Sequence, residues 1–147
     1  MKIKYISITI IIILIAIVGI WLAAPLFYDK TVHEDMPVTL SQSTGAQVTT
    51  AQFTDADASH KAAGTVLLID GEQRLLRFEK FKATNGPDLR VYLASDEQAT
   101  EFIDLGKLKG NIGDQNYEIP ADTDLEKYQY VLIWCRAFSV LFGSAQI

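Results

Sequence analysis

Few residues in this 147-residue chain have side chains suited to bond-making or redox chemistry: one cysteine, Cys135, and two histidines, His33 and His60. A single cysteine cannot close an internal disulfide, and it rules out a CxxC redox pair, a CxxCH haem attachment and a cysteine-only zinc cluster. Outside the cytoplasm an unpaired thiol must be buried, liganded, joined to another chain or kept reactive for a purpose. Two readings of Cys135 stay open. The adjacent Arg136 is a cation that stabilises a thiolate if both side chains point the same way. Neighbours on a strand point to opposite faces, so that role requires a bend or bulge at this position. Alternatively Ile133, Trp134 and Phe138 make Cys135 a small apolar core residue.

The densest group of acids with a histidine is Phe53-Thr54-Asp55-Ala56-Asp57-Ala58-Ser59-His60. Its spacing matches no standard metal motif, and Asp and Ser side chains holding backbone amides, with His60 capping or packing, would account for it. A blue-copper centre needs two histidines, a thiolate and usually an axial methionine. Nothing after Cys135 is His or Met, while His33 and Met36 precede the folded part. Asp55, Asp57 or Asp88 with His60 would suit a hydrolase, but no GxSxG, HExxH or Walker sequence accompanies them. Asp114, Glu118, Asp122, Asp124 and Glu126 lack EF-hand spacing and read as a solvated acidic edge. No metal site is expected.

These residues must be positioned by the part of the chain that carries the charge. Lysine and arginine number 13 against 18 Asp and Glu, a net charge of −5. Only Lys2 and Lys4 are charged before Asp29, so the remainder has eleven cations against eighteen acids, a net −7. An acidic chain without a basic cluster is unsuited to nucleic acid, whose binding depends on neutralising phosphates. From Tyr5 to Tyr28 there is no charge, and Ile6 to Leu26 is nearly solid in Ile, Leu, Val and Ala. About 20 such residues span a bilayer as a helix, so residues 1–28 read as an N-terminal transmembrane anchor. A cleaved signal peptide would have a shorter apolar region, and Pro25 after Ala23-Ala24 is a poor cleavage context. Lys2 and Lys4 place the N-terminus in the cytoplasm and the domain outside the membrane, with Trp21, Phe27 and Tyr28 at the outer interface.

Residues 29–47 have the composition of an exposed tether, and a domain of sandwich size is expected over 48–147. Gly64–Ile69 and Arg74–Phe81, around Asp70-Gly71, give a hairpin signal. Leu89–Leu93 follows the Asn85-Gly86-Pro87-Asp88 turn as a third strand. Shorter strands are expected over Leu105–Lys109 and Gln115–Ile119, flanking Gly110–Gly113, and Asp122–Glu126 could open a short helix. Tyr128–Cys135 and the segment to Gly143 read as two strands joined near Arg136–Ser139. The fold class is all-β: an antiparallel β-sandwich preceded by one transmembrane helix.

Several segments together resemble the DM-thirteen domain. They are Phe53-Thr54-Asp55 with His60 and Gly64, Gly86-Pro87-Asp88-Leu89 with Val91-Tyr92-Leu93, and Asp104-Leu105-Gly106. Leu108-Lys109-Gly110-Asn111, Gly113-Asp114-Gln115-Asn116-Tyr117 and Ile119-Pro120 follow. The most specific is Val131-Leu132-Ile133-Trp134-Cys135-Arg136 with Phe138-Ser139-Val140-Leu141-Phe142-Gly143. The resemblance implies a sandwich-like domain whose signature cysteine, Cys135, acts in redox chemistry or electron transfer. It would do so as a bare thiol or as ligand to a prosthetic group such as haem, with His60 as a second candidate for the same site. The animal members place the domain beside a DOMON domain, so in this chain the electron donor or acceptor is expected to be a separate redox protein. A shared site would bring the Cys135 sulfur and the His60 imidazole within about 6 Å, with Asp57 orienting the ring. The competing reading is a cell-surface binding or interaction module in which Cys135 is structural.

Overall fold

The computed structural model describes residues 2–23, 28–37 and 45–147, with the side chains of the first segment described over 10–20. Among the described residues the chain runs through α1 (Lys2–Ala23) and then ten strands: β1 (Thr31–His33), β2 (Gln47–Gln52), β3 (Thr54–Asp55), β4 (Ala62–Asp70), β5 (Leu75–Ala83), β6 (Leu89–Ala94), β7 (Phe102–Lys107), β8 (Ile112–Glu118), β9 (Tyr130–Cys135) and β10 (Val140–Gln146). They form two five-stranded sheets, ordered β1-β8-β5-β4-β2 and β3-β10-β9-β6-β7. Pairing is antiparallel except between β1 and β8. The fold is a β-sandwich.

Alternation along the strands explains the core. In β9, Val131, Ile133 and Cys135 point inward, and in β6 Leu89, Val91 and Leu93 do the same. Tyr92, Ala94 and Leu132 lie on the opposite face of that sheet, in a smaller apolar cluster with Trp134 and Leu141 packed against it. The facing sheet supplies Val66, Leu68, Leu76, Phe78, Phe81 and Tyr117. Phe78 and Phe81 are three apart, which a regular strand would send to opposite faces. A register shift between them, with Lys80 at φ 51°, brings both inward. Gly64 faces this bulge at φ +121°, where a Cβ would stand 2.8 Å from the Phe81 Cα. Phe53 meets Phe78 edge to face, centroids 5.0 Å apart, completing an aromatic centre worth several kcal/mol in burial alone.

The sheet edges differ from the sequence expectation in three places. β7 and β8 begin three residues earlier than the alternation suggested, and Gly113 lies within β8 at φ +105° instead of in a turn. Asp122–Glu126 forms turns, with the Asp124 carboxylate accepting from the Glu126 and Lys127 N–H groups. The largest difference is in the expected tether, whose residues 38–44 lie outside the described residues. Its first part is docked on the sandwich: Thr31–His33 pairs in parallel with Ile112–Asp114. Polar side chains from the far sheet edge hold it there, and polarity without periodicity concealed that role in the sequence.

At the N-terminus, α1 exposes nine large apolar side chains between Ile10 and Ile20. Residues 10–20 make about 16 Å of helix. Among the described residues no helix is long and apolar enough to cross a membrane. The span expected over residues 6–26 extends beyond this stretch, and Trp21 and Phe27 at its outer end lie outside the described side chains.

Candidate functional site

Cys135 ends β9 with no exposed surface. Its register partners are Leu89 on β6 and Val140 on β10, so the thiol sits in the apolar interior at one end of the sandwich. The chain turns immediately afterwards, with the Phe138 N–H donating to the Cys135 carbonyl at 3.4 Å. Phe138, at the tip of this turn, is 70% exposed.

Arg136 points away from the thiol, as strand alternation demands. Its Nε donates to Asp88 Oδ2 at 2.7 Å and its backbone N–H to the Asp88 carbonyl at 3.0 Å. The thiolate-stabilising role considered for Arg136 would require a bend toward Cys135; instead its charge is directed to Asp88, clamping the start of β6 to the end of β9. The other Asp88 oxygen, Oδ1, is buried and, among the described residues, has no hydrogen-bond partner. Trp134 also faces outward, its ring stacked against Tyr92 at 6.3 Å, and Tyr92 lies on Phe102 at 4.2 Å with 13° between planes.

His60 is set by its own loop. Asp57 Oδ1 accepts from the Ser59 and His60 N–H groups at 2.7 Å each, and Oδ2 meets His60 Nδ1 at 2.7 Å. The imidazole packs on Phe142 with centroids 4.6 Å apart. Phe142 shares the core with Cys135, but among the described residues no hydrogen bond joins His60 to Cys135. Asp55 turns its carboxylate to the Ala62 N–H, and His33 lies on β1.

Hydrogen bonding from His60, then from the backbone of His60 and Ser59, holds the Asp57 carboxyl down to about 2 from its ordinary 3.8. A carboxyl depressed in the folded state stabilises the fold above its unfolded value, and that contribution disappears as pH falls through the folded one. The Asp57 carbon resonance in an NMR titration is therefore expected to move with a midpoint near 2, the loop at 55–60 loosening below it. A midpoint near 3.8 would show that the His60 contact does not persist in solution.

A haem on Cys135 does not fit this packing. The thiol is fully enclosed by core side chains, and it lines none of the described clefts. Among the described residues no three His, Cys, Asp or Glu side chains gather as a metal site.

A polar assembly lies at the β8 edge, where the sequence reading placed a turn, a short strand and an acidic edge. Gln115 is fully buried, its Oε1 accepting from the Lys109 and Gly110 N–H groups and the Tyr117 hydroxyl while Nε2 donates to the Gly110 carbonyl at 2.7 Å. Burial pushes the Tyr117 phenol far above its usual range. Asp29 accepts from Asn111 and Asn85, and the Lys30 N–H donates to Asn111 Oδ1 at 2.6 Å. Both Glu34 carboxylate oxygens meet Lys109 Nζ at 2.8 Å, the Asn116 N–H donates to one of them, and Arg77 donates to the Glu34 carbonyl. Partial burial alone would raise the Glu34 carboxyl, but the Lys109 and Asn116 hydrogen bonds and the Lys109 and Arg77 charges bring it below its ordinary value. Gly110 and Gly113 make room for this stem: a Cβ on either would overlap the carbonyl oxygen of Lys30 or Val32 respectively. Gly110 and Gly113, three apart, were the available sequence signal.

Three of the resemblance segments thus meet at one end of the sandwich. Gly86-Pro87-Asp88-Leu89 and Leu108-Lys109-Gly110-Asn111 line a common cleft of about 370 Å³, and Asp88 in turn contacts the residue after Cys135. No curated protein and no solved structure matches the chain. The family model Electron transfer DM13 matches residues 52–147, which takes in the whole sandwich from the end of β2 onward, and the chain belongs to that family.

Proposed function

We propose that this chain is a membrane-anchored domain acting in electron transfer outside the cytoplasm, with Cys135 as the group that changes redox state. The observation that carries the reading is the family match over residues 52–147, within which Cys135 is the one thiol. The anchor is supported by the uncharged run from Tyr5 to Tyr28 and by the apolar side chains that α1 exposes, which water would leave unsupported. Lys2 and Lys4 before the run support the outward orientation of the domain.

Burial determines how such a site would work. Thiol–disulfide exchange needs an attacking thiolate to reach sulfur, and the enclosed Cys135 offers no approach. Electron exchange with a separate redox protein therefore proceeds either through the closed end of the sandwich or after the turn at 136–139 opens; in both, the partner takes an electron from the Cys135 sulfur and the thiol proton passes to solvent. The outward stack of Trp134 on Tyr92 supplies polarisable side chains on the face a partner would approach.

The second reading, an interaction module with a structural cysteine, is favoured by one observation: Cys135 has no exposed surface. Iodoacetamide labelling distinguishes the two forms of the redox reading. The native protein is expected to label at least about a hundredfold more slowly than the urea-unfolded chain, in keeping with a thiol reached only through opening of the turn. Labelling at the unfolded rate would show an open site and restore direct thiol exchange.

A further inference from the structure

Two clefts at the end of the sandwich where the stem enters share Asp29 and Asn85 in their linings. One, of about 370 Å³, carries Lys30, Lys107 and Lys109, and the other, of about 600 Å³, carries Lys61 and Lys82. In a region with an excess of acids this is a local reversal: five lysines against Asp29, Asp55 and Asp88. The three acids are already engaged, Asp29 by Asn85 and Asn111, Asp55 by the Ala62 N–H and Asp88 by Arg136. Lys109 is paired with Glu34. Lys30, Lys61, Lys82 and Lys107 are exposed and, among the described residues, make no ion pair.

Chain length fixes where these lysines can be. Ala23 ends α1 and Tyr28 already lines the first cleft, so five Cα steps, at most about 18 Å, separate the helix end from it. The docked stem prevents the sandwich from swinging away on a long tether. If α1 lies in a bilayer, as in the anchor reading on which this inference rests, the lysine clefts are held within reach of the lipid headgroups.

We propose that the paired clefts bind the phosphate groups of anionic phospholipids in the leaflet from which the helix emerges. A lysine ammonium is a compact charge suited to phosphate, and the acidic remainder of the sandwich is repelled by the same surface. Together the two effects set the domain upright on its stem.

The test uses the full chain in nanodiscs of phosphatidylcholine alone or mixed with phosphatidylglycerol. Amide exchange over residues 82–89 and 105–111 is expected to be about fivefold slower in the anionic discs, and the slowing is expected to vanish in high salt and in the K61Q/K82Q/K107Q variant. All three lysines are exposed, so that variant retains the fold. Equal exchange in both lipids, or slowing that survives the triple substitution, would overturn the proposal. Equal slowing by glycerol phosphate added to neutral discs would assign the clefts to a free anion and overturn the lipid assignment. Release of the wild-type chain from vesicles by alkaline carbonate would instead refute the anchor, and this inference with it.

Discussion

Gly113→Ala is expected to release the stem and to destabilise the sandwich by about 2–4 kcal/mol. Two costs add. Gly113 has φ +105°, a backbone region that an L side chain adopts only with strain. A Cβ there would also overlap the Val32 carbonyl oxygen, so β1 must move off the β8 edge. Once it moves, Glu34 no longer satisfies Lys109 and the Asn116 N–H, and the Arg77 guanidinium, only 8% exposed, loses its bond to the Glu34 carbonyl. Limited proteolysis should cut the variant within residues 28–37 and spare them in the wild type, and the urea midpoint of the variant should fall. An unchanged midpoint with a protected stem would mean that the docking seen here does not contribute to the folded state.

Gln115→Leu is expected to cost about 3 kcal/mol despite the similar volume of the two side chains. The amide forms four hydrogen bonds that close the Lys109–Gly110 corner against Tyr117. Leucine would leave the Gly110 N–H and carbonyl buried without partners, and each such group costs about 1–3 kcal/mol. The Lys109 N–H retains the Tyr117 hydroxyl at 3.0 Å, which limits the total. Equilibrium urea unfolding checks this, and a loss below about 1 kcal/mol would mean that water replaces the amide.

Both variants act at the part of the molecule the sequence disclosed least. Strands β4, β6, β9 and β10 were legible because β-branched and aromatic residues alternate between Gly, Pro and Asn turns, and the sandwich followed from them. The inward direction of Cys135 was legible as well, given Val131 and Ile133 two and four positions before it. The Phe78–Phe81 bulge was not, because a local break in alternation looks like noise until the opposing Gly64 is placed. The stem was missed for a different reason: Asp29, Lys30 and Glu34 read as solvated polar residues, and their partners lie about 75 to 82 positions away. The pairing of Arg136 with Asp88, 48 positions earlier, was not legible, because Asp88 has no local signature.

The central claim is that Cys135 changes redox state in the folded protein. Protein-film voltammetry compares the wild type with Cys135→Ala, a small apolar replacement in a site already apolar. Folding of the variant is checked by a retained tryptophan fluorescence and urea transition. A reversible wave in the wild type that is absent from the folded variant is the result expected. The same wave in both proteins, or none in either, would contradict the claim and leave Cys135 a structural member of the core.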